Sequence, residues 1–87
     1  MKAVITVIGK DTVGILAKVS TVCAQANANV AEVTQSILDQ YFAMIMLIDI
    51  DGLSCSLEEL RNSISDAVPA MTVHVMHEDI FNSMHRI

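Results

Sequence analysis

The sequence predicts an α+β fold with the element order β-α-β-β-α-β, and two observations support this prediction. Apolar residues recur at helical spacing in two segments, and four other segments are short runs rich in Val, Ile or Met, as strands are. The 87 residues hold no linker, repeat or low-complexity stretch. We therefore expect one domain, with its core over residues 1–76 and a tail helix over residues 77–87.

The first strand is predicted over residues 2–8 and the first helix over residues 15–26, with a glycine-flanked loop between them. One face of this helix collects the apolar side chains: Ile15, Leu16, Val19, Val22, Cys23 and Ala26. Asn27 and Asn29 follow. Because Asn tolerates the left-handed backbone conformation, these residues are expected to stop the helix.

Two further strands, over residues 30–38 and 41–50, are separated by two residues, which predicts a hairpin in which Leu38 faces Tyr41. One face of the hairpin is nearly all apolar and is expected to pack on the helices: Ala31, Val33, Gln35, Ile37, Phe42, Met44, Met46 and Ile48. The opposite face is mixed: Val30, Glu32, Thr34, Ser36, Ala43, Ile45, Leu47 and Asp49. Its apolar members still need cover, which indicates a partner.

The second half of the chain predicts a helix, a strand and a short tail helix. Ser56 and Glu59 have the spacing of a capping box, so a helix is expected to begin there and to end before Pro69. A fourth strand is predicted over residues 70–76. Asp79 is a candidate cap for the tail helix, whose apolar residues fall on one side: Ile80, Phe81, Met84 and Ile87.

This order of elements predicts the ferredoxin-like arrangement, a four-stranded antiparallel sheet with two helices on one face. The opposite face of the sheet is left to water, a partner or a ligand. Because many functions share this fold, the fold alone decides none of them.

Composition and charge argue against several classes of protein. Hydrophobic residues make up 53% of this small chain, an aliphatic excess that indicates a homodimer. The net charge is −5 and the five Lys and Arg residues are scattered, which argues against nucleic-acid binding. No apolar run approaches the roughly 20 residues needed to cross a membrane. No signal peptide is visible and two cysteines make no disulfide framework, so we expect a cytoplasmic protein without a membrane partner.

The loop between the first strand and the first helix is the candidate binding site. A strand that enters such a loop and leaves as a helix presents free backbone N–H groups, which suit a carboxylate or another small anion. The alternative stays open that Asp11 or Thr12 caps the helix and that nothing binds there.

The sequence assembles no catalytic or metal centre. No nucleophile, base and orienting group can be matched by spacing, which predicts a protein that is not an enzyme and has no cofactor. His74 and His77 differ by an odd number of residues, so on a strand they point to opposite faces and make a poor metal site.

Two stretches resemble the ACT domain family: residues 7–16, Val-Ile-Gly-Lys-Asp-Thr-Val-Gly-Ile-Leu, and residues 27–31, Asn-Ala-Asn-Val-Ala. The family pattern is a strand, a polar loop with an Asp or Asn followed by two positions and a glycine, an amphipathic helix, and a turn of the form x-Asn-Ile or x-Asn-Val. The resemblance extends from residue 1 to about residue 76. It is strongest to small free-standing ACT proteins that carry no attached enzyme.

The resemblance implies a regulatory module that binds a small molecule, commonly an amino acid, at the interface of a homodimer whose sheets join side by side. By matching position it implies these contact residues: Asp11, Thr12, Val13, Gly14, Ile15 and Asn29. Backbone groups of residues 12–15 would hold the ligand carboxylate, and Asp11 or Asn29 would meet its ammonium or other polar end. An unknown partner protein would receive the signal. A dimeric protein-interaction module without a ligand is the alternative.

Overall fold

The computed structural model describes residues 1–10 and 12–84, and its elements follow the predicted order. They are β1 (Lys2–Lys10), α1 (Ile15–Gln25), β2 (Asn29–Leu38), β3 (Tyr41–Asp49), α2 (Leu57–Ala67), β4 (Thr72–His77) and α3 (Glu78–Met84). The strands form one antiparallel sheet in the order β2-β3-β1-β4. The predicted ferredoxin-like fold is confirmed. The candidate site residue Asp11 and the predicted tail residue Ile87 lie outside the described residues.

One face of the sheet packs against α1 and α2. Alternate residues of the two central strands point to this face and are fully buried: Ala3, Ile5, Val7, Met44, Met46 and Ile48. They form one apolar cluster with Val19 and Cys23 of α1 and with Leu60 and Ile64 of α2. Because β1 and α1 both belong to this core, the loop that joins them is held at one end of the sheet.

Strand β2 departs from the predicted pattern of faces. Its register with β3 shifts between Val30 and Glu32, so Val30 lies opposite Ile48 on the helix side, and the prediction that it lies on the other face is wrong. Ala31, predicted to pack on the helices, is exposed at the irregularity. One extra residue in one strand reverses the faces of all residues beyond it.

The outer half of β2 is less covered than predicted. Val33 is 38% exposed and Ile37 is 62% exposed, although both lie on the helix side of the sheet. β2 is an edge strand, and among the described helices only α1 contacts it. The prediction that this face of the hairpin packs on the helices is therefore confirmed for β3 and wrong for the outer part of β2.

The short helix α3 lies on the other face of the sheet, where it contacts β1 and β4. It covers Val4, which points away from the core cluster and is nevertheless only 4% exposed. The prediction that Asp79 caps the start of α3 is wrong. The cap is His77, whose Nδ1 accepts a hydrogen bond from the Asp79 N–H at 3.2 Å. Within residues 1–10 and 12–84, no helix is long and apolar enough to cross a membrane.

Candidate ligand site at the start of α1

The first turn of α1 begins at a left-handed glycine. Gly14 is the N-cap residue, with φ 85° and ψ 13°, and no described side chain accepts a hydrogen bond from the first turn, which also contains no acidic residue. The alternative that Thr12 caps the helix is therefore wrong, and Asp11 lies outside the described residues. The first intrahelical bond to Gly14 comes from the Lys18 N–H, at 3.0 Å. The N–H groups of residues 15–17 have no acceptor within the helix.

The two glycines of the loop have different physical roles. Gly14 has a left-handed conformation that L side chains rarely adopt, and a Cβ there would meet mostly open space, with Lys18 Cε at 4.0 Å. A Cβ on Gly9 would instead lie 2.7 Å from Met71 Sδ and 3.2 Å from the Ala70 carbonyl oxygen. Gly9 thus allows the turn after α2 to lie against the end of β1. Gly14 leaves open space beside the first turn of α1.

Lys18 also lies at this helix start, and the sequence analysis did not single it out. Its side chain runs beside Gly14, so its ammonium group lies close to the helix start, and within the described ranges no carboxylate forms an ion pair with it. A helix start carries partial positive charge, which this ammonium group reinforces. The sequence signal was the spacing of four residues from Gly14, because residues four apart share one face of a helix.

A groove of about 240 Å³ runs beside this helix start. Thr12, Val13 and Lys18 line one wall, and residues 67–71, between α2 and β4, line the other. The Val13 side chain is 97% exposed. Backbone N–H donors, one ammonium group and a mostly apolar opposite wall suit the carboxylate of a small molecule that also has an apolar part.

Asn29 does not meet residues 12–15 within one chain. It pairs with Asp49 at the end of the sheet where β1 begins, whereas the loop follows Lys10, at the end where β1 finishes. The 11 residues of α1, at about 1.5 Å per residue, separate the two by roughly 16 Å. A site that contains both needs a second chain.

Among the described residues, the groups with shifted pKa values lie away from this groove. Burial raises the pKa of the Cys23 thiol to about 11 in the core. The hydrogen bond between the N-terminal ammonium and Asp51, at 2.7 Å, raises the pKa of the ammonium group and lowers the pKa of Asp51. In the part of the chain that the structure describes, no three His, Cys, Asp or Glu side chains come together in a way that could hold a metal ion.

Comparisons with known proteins agree with the fold. Residues 2–78 match the family model of the ACT domain. The chain is 45% identical over 89 residues to a UPF0237 protein of Clostridium perfringens, with both chains covered completely. It resembles the solved ACT domain protein from Streptococcus pneumoniae with a TM-score of 0.77 and 33% identity, over 98% of each chain. It shares the fold of the ligand-free regulatory subunit of aspartate kinase from Thermus thermophilus, with a TM-score of 0.65 and 19% identity, over 85% of this chain and 49% of that one.

The family match begins with β1 and reaches the first residue of α3, so it contains all four strands and both long helices. The relatives from Clostridium perfringens and Streptococcus pneumoniae are matched over almost their whole length. The resemblance predicted from the loop and from the turn before β2 is confirmed: the chain belongs to the ACT domain family.

Proposed function

We propose that this chain is a non-enzymatic regulatory module that binds an amino acid between the subunits of a homodimer. The ACT domain is typically a regulatory module that binds a small molecule. The observation that carries the finer proposal is the start of α1, where three backbone N–H groups have no intrahelical acceptor and the Lys18 side chain runs beside the N-cap residue Gly14.

The ligand carboxylate would be held by the N–H groups of residues 15–17 and attracted by Lys18. Thr12 and Val13 would lie alongside it in the groove. The ammonium or other polar end would meet Asp11 of the same chain and Asn29 of a second copy. This pose uses the predicted contact residues other than Gly14, it adds Lys18, and it requires the dimer.

The homodimer would form through β2. This strand is an edge of the sheet, it has ten residues, and nine of them are exposed. An unpaired edge of this length is a ready template for pairing with another chain. Antiparallel pairing of two β2 strands would place the start of one beside the end of the other. Asn29 of the second copy would then lie at the same end of the joined sheet as residues 12–15.

Thermal unfolding in the presence of single amino acids tests the ligand. At one hundred times its dissociation constant, a ligand adds about 2.7 kcal/mol to the stability of the folded state. For a domain of this size that raises the unfolding midpoint by on the order of ten degrees. A shift with one compound that is lost in Lys18→Met and in Asn29→Ala supports the proposal. The matched control is Lys2→Met, because Lys2 lies at the far end of the sheet.

The second candidate function is a dimeric protein-interaction module that binds no ligand. The exposed apolar residues of the β2–β3 hairpin favour it: Val33, Ile37, Leu38 and Tyr41. No shift with any amino acid, together with a dimer by light scattering that Ile37→Asp converts to a monomer, would select this function. Either module would act on a partner protein in the cytoplasm.

A further inference from the structure

We propose a second binding site, between the open face of the sheet and α3, for a small apolar molecule that carries one hydrogen-bonding head group. This site shares no residue with the groove at the start of α1. It lies on the opposite face of the sheet. Its roof is α3. All of α3 except its first residue lies outside the stretch that matches the ACT family model.

The site is a cavity of about 310 Å³, which is at the lower end of the range for small-molecule pockets. Ile8 of β1 and Ala43 and Ile45 of β3 line its floor, and Phe81 and Met84 of α3 line its roof. The walls are therefore almost entirely apolar. Phe and Met side chains cover apolar surface well, and Met adapts its shape to what it packs against.

Two polar side chains lie side by side in this apolar cavity. Thr6 of β1 is paired directly with His74 of β4, and both line the cavity. Neither side chain takes part in a hydrogen bond within the described residues. A hydroxyl and an imidazole that are adjacent and unpaired can together donate to and accept from one head group. This pair sets the class of ligand: an apolar body with a single polar end.

The position of α3 leaves room for such a molecule. At one end of the open face, α3 shields Val4 to 4% exposure. At the other end, Ile8 is 52% exposed and Ile45 is 45% exposed. The helix thus leaves these two side chains partly uncovered, and Phe81 and Met84 line the cavity from the side of α3. A bound molecule would cover the apolar side chains that α3 does not reach.

Amide NMR spectra of the full chain, titrated with octanoate and separately with octanol, test the site. Both probes have the same apolar body, and they differ in the charge of the head group. We expect saturable shifts at the residues that line the cavity with at least one probe. Octanol, which has no carboxylate, should cause no comparable shifts at residues 15–17. Because the readout separates the two sites, failure here leaves the amino-acid proposal standing, and the reverse also holds.

Ala43→Leu is the blocking variant, because Ala43 is an exposed strand residue on the cavity floor and the larger side chain would fill the space. We expect the affinity for the probe to fall at least about tenfold. Ala24→Leu, the same change at an exposed position of α1 outside the cavity, is the matched control and should bind as the unaltered chain does.

Thr6→Val keeps the shape of the side chain and removes its hydroxyl, so it tests the polar end. We expect it to weaken binding by about fivefold, the equivalent of one hydrogen bond. The proposal is overturned if neither probe gives saturable shifts at the cavity, or if Ala43→Leu binds as tightly as Ala24→Leu. It is also overturned if the cavity signals shift with protein concentration and not with probe, because a second copy then covers the face.

Discussion

The two long helices have the same length and begin in opposite ways. Each contains 11 residues. At the start of α2, Ser56 Oγ accepts a hydrogen bond from the Glu59 N–H at 3.0 Å, and the Glu59 carboxylate accepts one from the Ser56 N–H at 3.1 Å. Glu58 adds a second negative charge in the same turn. At the start of α1, the N-cap is Gly14, the first turn has no acidic residue, and the side chain of Lys18 runs beside Gly14.

This difference separates a helix start that stabilises the fold from one that is available to a ligand. At α2 the chain itself supplies acceptors for the Ser56 and Glu59 N–H groups and negative charge beside the first turn. The corresponding groups of α1 have no acceptor within the helix, and the groove beside this helix start is lined in part by Lys18. A bound carboxylate would supply at α1 what Ser56 and Glu59 supply at α2. Removing the Ser56 cap of α2 should therefore alter stability without any ligand, and removing the charge of Lys18 beside α1 should alter the response to a ligand.

The largest effect on stability is expected from Gly14→Val. The left-handed conformation of Gly14 disfavours any side chain with a Cβ, and a β-branched one most. We expect a loss of about 2 kcal/mol in the free energy of unfolding, measured by denaturant titration. Gly14→Asn is the matched control, because Asn tolerates this conformation and should lose less than half as much. Equal losses in the two variants would show that the conformation of Gly14 is not what matters there.

Ser56→Ala should have the next largest effect. It removes the side-chain acceptor of the α2 cap, which typically costs about 1 kcal/mol. For a domain of this size we expect the unfolding midpoint to fall by about 4–8 °C by calorimetry. Ser63→Ala, an exposed position within α2, is the control and should change the midpoint little. If Ser63→Ala lowers the midpoint as much, the capping box is not what distinguishes this helix start.

The features that the sequence predicted correctly depend on local signals. The capping box requires only the spacing of Ser56 and Glu59, and the structure contains it. Asn27, predicted as part of the stop of α1, has φ 60°, the left-handed conformation expected there. The two-residue turn of the hairpin also set the pairing of Leu38 with Tyr41. In each case, residues close in sequence determine the geometry, so one chain is enough to infer it.

The features that the sequence did not predict depend on the arrangement of elements in space. The alternation of apolar residues predicts the faces of a strand only if its pairing with the neighbouring strand is uninterrupted. The shift of register between Val30 and Glu32 could therefore not be predicted from this alternation. The role that we propose for Lys18 depends on its side chain running beside Gly14, and this contact becomes apparent only once the N-cap is known. The separation of Asn29 from the loop follows from the strand register. Matching to the family pattern assigns Asn29 and the loop to one site and does not give the distance between them.

The pH dependence of stability should further distinguish the start of α2 from the start of α1, with a smaller effect than Gly14→Val or Ser56→Ala. The hydrogen bond from the Ser56 backbone lowers the pKa of Glu59 from its usual value of 4.5. A carboxyl whose pKa is lowered by folding stabilises the protein above its unfolded pKa, and this contribution is lost as the pH falls through the folded pKa. Glu59→Gln should therefore lower the unfolding midpoint at pH 7, and the difference should shrink as the pH falls below 4.5. A difference that grows on acidification would contradict this assignment.

The smallest expected effect is measured by labelling the thiols of the two cysteines, one in α1 and one next to the start of α2. Cys55 is partly exposed immediately before the α2 cap, whereas Cys23 is buried in α1 and burial raises the pKa of its thiol to about 11. Because the thiolate is the reactive form, Ellman's reagent at pH 8 should modify one thiol per chain quickly and the second only in denaturant. In Cys55→Ser the fast phase should disappear. A fast phase that survives this substitution would mean that α1 opens readily, and that its start is a fluctuating segment and not a preformed site.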